Sequence, residues 1–327
     1  MMVFAVAMLA RTAPANAAAP NTSLAHALSE IIAMEARVAP IARRLATGAA
    51  PWCPALAPTP GWLLGDRRLY DERLWPMVRA AYAASDADAP FVAALDPSGP
   101  AAAAGLRVGD AILAIGGRSA GSSGASPHAR IAAAHALISA QPANTGLSIT
   151  IARRSAPLLL PPTPGCASEF RVEAHRQVKA EADGTTVYVS AAMIRLAADD
   201  TELAAIVAHE LAHNILRHRA RLDAAGITRG VGRQFGRSAR LTKATEVEAD
   251  RLAVWLLEDA GYGADVASRF WTRYGQQRSK GIFSAATHPR WRERVASVTA
   301  EAALLRRLRT ADRRAVPPLI ANPPPLE

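Results

Sequence analysis

Hydrophobic and polar positions along the chain fall into blocks of different period. Leu203, Ile206, Val207, Leu211 and Leu216 recur at helical spacing. Asp199 and Glu202 stand three apart at the start of that block, as an N-cap and its capping-box partner do, so a packed helix of about 18 residues is predicted. Leu252, Val254, Trp255 and Leu257 mark a second helix, opened by Glu246-Val247-Glu248-Ala249-Asp250-Arg251. Ser23 caps a third, from about 24 to 47, ending near Gly48. Residues 88–155 have another texture. Phe91–Leu95 reads as a strand, and short strands alternate with glycines through Gly117. A helix around 128–140 and a strand at 147–153 follow. Pro157, Pro161, Pro162 and Pro164 read as a linker, and the tail from Pro317 as disordered. Gly226, Gly230, Gly232 and Gly236 alternate with arginines and read as a loop placed to gate a cleft.

Composition narrows the picture. The 327 residues suffice for two domains, and 38 basic against 28 acidic residues give a formal charge of +10. No nucleic-acid motif accompanies the excess, so no nucleic-acid partner is expected. Arginines at 217, 219, 221, 229, 233, 237 and 240 suit peripheral contact with anionic head groups, or acidic substrates, or simply a solvated surface. The apolar first ten residues and the small-x-small run Ala15-Asn16-Ala17 read as a signal peptide, residues 1–17, although no positive n-region precedes them. No later stretch reaches the roughly 18–20 apolar residues a membrane span needs. A periplasmic or secreted protein, soluble or membrane-peripheral, is therefore expected. In an oxidising compartment Cys53 and Cys166 would pair; two unrelated buried thiols are the alternative.

The chemistry centres on His209-Glu210-Leu211-Ala212-His213. On a helix the two histidines share one face a turn apart and can grip one zinc ion, with Glu210 beside them to take a proton from water. Chance supplies this short pattern in roughly one chain per hundred, but a packed helix holds the two rotamers as a metal site requires. Catalytic zinc wants a third protein ligand. Glu246 and Asp250 share a face, so Glu246 can ligate while Asp250 orients a histidine. The competing reading is a solvated first turn whose acids merely favour the helix dipole.

Three pieces occur in order: His209–His213 with His218 following, Glu246-x-x-Ala249-Asp250-Arg251, and Thr287-His288-Pro289 with Arg294 beyond. Together they resemble the gluzincin zinc metallopeptidases that include HtpX, the BepA-type periplasmic proteases and the CAAX prenyl endopeptidases (metallopeptidase family forty-eight). The resemblance implies one zinc per chain on His209, His213 and Glu246, rather than on Glu248. It makes Glu210 the general base and Asp250 a partner of a ligand. His288 would lie over the metal to polarise the substrate carbonyl or cap the ion, and Arg294 would pair with acids near the site. Ala182–Ser190 resembles that family's active-site edge strand, so unpaired backbone groups at 185–190 are expected to dock an extended substrate. Residues 88–155, with Gly105-Leu106-x-x-Gly109-Asp110-x-Ile112, resemble a bacterial PDZ domain that binds a peptide or partner protein. Asp86–Pro90 departs from its peptide-carboxylate loop, which leaves a rigid spacer as the other reading.

The fold class expected is α+β: a mainly helical zincin peptidase domain with a small sheet, preceded by a β-rich PDZ-like domain. The division is 1–17 signal peptide, 18–85 helical region, 86–155 PDZ-like domain, 156–167 linker, 168–312 peptidase domain and 313–327 tail. The function expected is a zinc metalloendopeptidase acting on extracytoplasmic proteins, misfolded ones among them. The alternatives are a zinc-binding chaperone or adaptor that rarely cuts, and an oligopeptide-scavenging peptidase.

Overall fold

The computed structural model describes residues 20–121, 126–227, 236–278, 289–313 and 315–326. The expected signal peptide, most of the glycine–arginine loop and His288 lie outside these residues. In chain order the first elements are α1 (Pro20–Gly48), β1 (Leu56–Pro58), β2 (Trp62–Gly65), α2 (Trp75–Tyr82), β3 (Phe91–Leu95) and α3 (Pro100–Ala103). Next come β4 (Ile112–Ile115), β5 (Arg118–Ser119), α4 (Pro127–Ser139), β6 (Leu147–Ile151), β7 (Leu158–Leu160) and β8 (Pro164–Cys166). The remainder holds β9 (Glu169–Glu173), β10 (Ala180–Ala182), β11 (Thr186–Ser190), α5 (Ala191–Leu196), α6 (Asp200–Ile215) and α7 (His218–Ala224). It ends with α8 (Gly236–Asp259), α9 (Val266–Arg278), α10 (Trp291–Ala311) and α11 (Pro318–Ala321). The architecture is α+β: helices around small sheets.

The main core joins α1 to α6, α8, α9 and α10, with β9 and β11 against one side. Ala204, Ala208 and Ala212 on α6 and Ala249 and Ala253 on α8 are all buried in it. Side chains this small let helix axes approach closely, which brings groups on α6 and α8 within ligand distance of each other. α1 is thus part of the peptidase core, although it precedes the PDZ-like segment in the chain. It begins at Pro20, so Ser23 lies inside the helix and not at its cap.

A second core, including Val92, Ile112, Ile115, Ile149, Ile151 and Leu160, belongs to the PDZ-like segment. Its four-stranded sheet has the order β5-β4-β6-β7, and β2 pairs with β3 in a separate two-stranded sheet. Trp62 and Leu64 pack on this core, so the module reaches from β2 to β7, beyond 86–155 at both ends. The proline-rich stretch 156–167 is accordingly not a bare linker. Leu158 and Leu160 alternate inward on β7, and β8 pairs antiparallel with β1, Leu56 opposite Cys166. Prolines at such short edge strands are tolerated because no ladder donor is needed from them. Cys53 and Cys166 form a disulfide beside that pair, their Cα atoms 5.4 Å apart. The tail is also ordered in part: α11 buries Leu319 in the main core.

Asp199 caps α6 by accepting from the Glu202 amide at 2.8 Å. The reciprocal half of the expected capping box is displaced by one residue. Glu202 accepts from the Ala198 amide at 2.9 Å and from Arg273 on α9, which locks the entry of α6 to a neighbouring helix. A larger correction concerns the edge strand. β11 is the central strand of the sheet β10-β11-β9, antiparallel to β10 and parallel to β9. Asp183 and Gly184, the latter at φ +101°, turn the chain between β10 and β11. An Asp-Gly turn folds the preceding residues back as a hairpin partner, which leaves β10 at the edge.

Glu35 on α1 accepts a 2.8 Å hydrogen bond from the Tyr82 hydroxyl of α2. Burial pushes its carboxyl from 4.5 up to about 7, against the Tyr82 hydrogen bond. A folded value above the unfolded one favours the protonated form. That contribution is fully present below the unfolded value and is lost as pH rises through the folded one, a cost of at most about 3 kcal/mol. Glu35→Gln should flatten the unfolding free energy between roughly pH 4.5 and 7, as read by urea denaturation at stepped pH.

Candidate metal centre

His209 and His213 sit one turn apart on α6, and α8 crosses that helix to bring Glu246 against both. Nε2 of His213 lies 3.2 Å from Nε2 of His209. Glu246 Oε2 is 3.3 Å from His209 Nε2, and its Oε1 is 3.6 Å from His213 Nε2. Zinc ligands at 2.0–2.1 Å and tetrahedral angles stand about 3.3 Å from one another. The three separations are close to that spacing, with one Glu246 oxygen toward each histidine, and the donor set of two imidazoles and a carboxylate is one zinc accepts. α8 begins ten residues before Glu246, so Glu246 and Asp250 lie mid-helix, 6% and 1% exposed. That removes the solvated-first-turn reading.

Each histidine is held from behind. Asp250 Oδ1 lies 3.0 Å from His209 Nδ1, and Arg294 on α10 donates to both Asp250 oxygens at 2.6 Å. The Trp271 ring of α9 faces that guanidinium, 3.2 Å from its carbon. Gly275, one turn further along α9, is where Trp291 of α10 crosses; a Cβ there would stand 2.2 Å from the indole, so only glycine admits this approach. Burial raises the Asp250 carboxyl, but Arg294 outweighs it and holds the group below the usual carboxylate range. Burial likewise depresses His209, yet hydrogen bonds to Asp250 and Glu246 prevail and raise it.

His213 has a different support. Its Nδ1 lies 2.8 Å from Nδ1 of His218, whose Nε2 lies 3.1 Å from Glu248 Oε2. Arg221 donates to the same Glu248 oxygen at 2.6 Å. Burial lowers both imidazoles, His213 well below its ordinary value, and so favours their neutral forms. Arg217 joins α6 to α7 at φ +53°, a left-handed conformation that costs a non-glycine residue on the order of 1–3 kcal/mol.

Glu210 follows His209 on α6 and is 8% exposed. Burial pushes its carboxyl up to about 7, opposed by His209 and reinforced by Glu246. Asn214 then ties helix to sheet: its Oδ1 accepts from the Gly184 amide at 2.8 Å and its Nδ2 donates to Ser168 at 3.3 Å. This seats the β10–β11 hairpin beside α6. Among the described residues, β10 pairs only with β11, so its outer edge is unpaired.

Residues 91–153 match the family model of the PDZ domain, and residues 165–231 match that of peptidase family M48. A PDZ domain precedes an M48 peptidase domain. The M48 match covers β9 to β11, α6 and α7; α8 and α10, which supply Glu246, Glu248, Asp250 and Arg294, lie past it. The chain is also similar to the mitochondrial metalloendopeptidase OMA1 of Schizosaccharomyces pombe (strain 972 / ATCC 24843), 26% identical over 136 residues, or 35% of this chain. It spans 40% of the length of that relative.

Of the residues singled out from the sequence, the structure brings His209, Glu210, His213, Glu246, Asp250 and Arg294 together where α6, α8 and α10 meet. Cys53 and Cys166 meet at the foot of the PDZ domain. His288 lies outside the described residues. The sequence reading assigned no role to Glu248 or Trp271, and it grouped Arg221 with arginines for head groups, acidic substrates or solvent, whereas Arg221 pairs with Glu248. His218 had a signal, five residues after His213, but spacing alone does not reveal the kink at Arg217 that turns it back.

Proposed function

We propose that this chain is a zinc-dependent endopeptidase with one ion held by His209, His213 and Glu246. The observation that carries the reading is the convergence of donor atoms from those three residues between α6 and α8, each histidine Nε2 facing one oxygen of Glu246. Zinc bound there supplies Lewis acidity for a carbonyl oxygen and lowers the pKa of water to about 7. Glu210 takes the proton of the attacking water at its carboxylate and returns it to the leaving amine. A carboxyl drawn toward neutrality by burial is suited to both transfers. The free edge of β10, not β11, aligns an extended substrate by backbone hydrogen bonds, a mode that reads little side-chain information and fits broad protein substrates. His288 acts on the substrate carbonyl by resemblance to the family. The PDZ domain binds a peptide or protein, and the disulfide supports a place outside the reducing cytoplasm.

Metal removal tests the reading. Purified chain should contain one zinc per molecule by elemental analysis and cleave casein. Stripping with a chelator should abolish cleavage, and one equivalent of zinc should restore it. Cleavage that persists in the stripped protein would sink the proposal.

A further inference from the structure

A metal-binding imidazole needs its proton on the nitrogen facing away from the ion, and something must hold it there. For His209 a carboxylate does so directly, since Asp250 accepts at Nδ1. Nδ1 of His213 instead faces another imidazole nitrogen, Nδ1 of His218, at 2.8 Å. Two ring nitrogens at this distance share one hydrogen, which sits on one or the other.

Glu248 decides which. A carboxylate only accepts, so its contact at 3.1 Å requires the hydrogen of His218 to be on Nε2. A neutral His218 is then left with a bare Nδ1 that accepts from His213. His213 in turn keeps its hydrogen on Nδ1 and presents the lone pair of Nε2 to the point shared with His209 and Glu246. Arg221 fixes Glu248 through 2.6 and 3.4 Å contacts and also donates to the Pro324 carbonyl at 2.7 Å, so the last link is anchored in the C-terminal segment. The whole chain is shielded: His218 is 1% exposed and Glu248 6%. The left-handed backbone at Arg217 turns α7 back so that His218 meets His213, and such strain persists where surrounding contacts over-determine it.

We propose that His218 and Glu248 are positioning residues that set the tautomer of His213 for metal binding through an imidazole-to-imidazole hydrogen bond. The inference rests on the metal reading of the centre. Glu248, which the sequence spacing sets apart from the ligands, acts on the metal at two removes.

Zinc affinity by chelator competition and the ring-nitrogen NMR shifts of His213 in metal-free protein test this independently of catalysis. His218→Phe removes the acceptor and should weaken zinc binding by about 10–100-fold, with His213 spread over both tautomers. His218→Asn puts a carbonyl oxygen near the former Nδ1 position and should recover most of the affinity and the Nδ1-protonated form. Glu248→Gln lets an amide donate to His218 and should shift His213 toward the Nε2-protonated form, with a matching loss of affinity. Wild-type affinity and an unmoved tautomer in His218→Phe would overturn the proposal. So would an affinity loss shared by His218→Phe and His218→Asn with the tautomer unmoved, since that marks a packing role. Wild-type protein that binds no zinc overturns the metal reading, while the shifts of the metal-free protein still decide the tautomer.

Discussion

Glu210→Gln protein will hold zinc as the wild type does and cleave casein about 10²–10⁴-fold more slowly, the range that loss of a general base produces. The amide fills the same volume on α6 and cannot accept the proton of water. Its neighbours His209 and His213 keep their supports, Asp250 and His218, which do not involve residue 210. Binding and chemistry should therefore separate cleanly. Metal content equal to wild type with cleavage lost assigns the proton transfer to Glu210. Equal cleavage by the two proteins would remove Glu210 from the mechanism. A chaperone or adaptor that binds zinc without cutting would show no difference between them because neither would cut.

The largest effect on stability is expected from Arg294→Ala, about 3–5 kcal/mol, because it strands a buried carboxylate. Asp250 is 1% exposed and takes both of its close guanidinium contacts from this arginine. The substitution also opens a space under the Trp271 ring. Urea denaturation of metal-free protein measures the loss. Adding Asp250→Asn to Arg294→Ala should recover part of it, since the stranded charge is then gone. Zinc affinity should fall in both proteins, because His209 loses either the charge or the fixed orientation of its partner. An Arg294→Ala protein within about 1 kcal/mol of wild type would show that water or another cation satisfies Asp250.

The parts of this molecule that were legible in the sequence are those carried by local period and capping chemistry. Asp199 and the apolar spacing that follows locate α6, and the shared face of Glu246 and Asp250 places both toward the histidines. The glycine-punctuated strands locate the PDZ domain. What was not legible depends on which segments meet. β11 was expected at an edge from the resemblance of Ala182–Ser190 to an active-site edge strand; its two partners are set by the Asp183-Gly184 turn and by β9. α1 looked like a separate helical region because nothing in a helix states which core its apolar face enters. Prolines at 161, 162 and 164 and in the tail suggested bare connection, yet short edge strands and a one-turn helix accommodate them. Glu248 was passed over because it stands off the face of Glu246 and Asp250, and its task is visible only with His218 in view.

The adjacent strands β1 and β8, with the disulfide beside them, have an architectural consequence. Pro58 and Pro164 stand opposite each other in register, so both strands of the connection leave the helical body at one point. The chain thus enters and leaves the PDZ domain through one paired connection, while α1 braces it: Leu28 packs with Val78, Tyr82, Phe91 and Ala93, and Arg43 pairs with Asp96. Excising the segment between Pro58 and Pro164 would leave chain ends close enough to rejoin, but would bare the face of α1 that packs on β2, α2 and β3. Because the same α1 also packs on α6 and α8, it acts as a beam common to both halves, and neither half can be exchanged without recutting its surface.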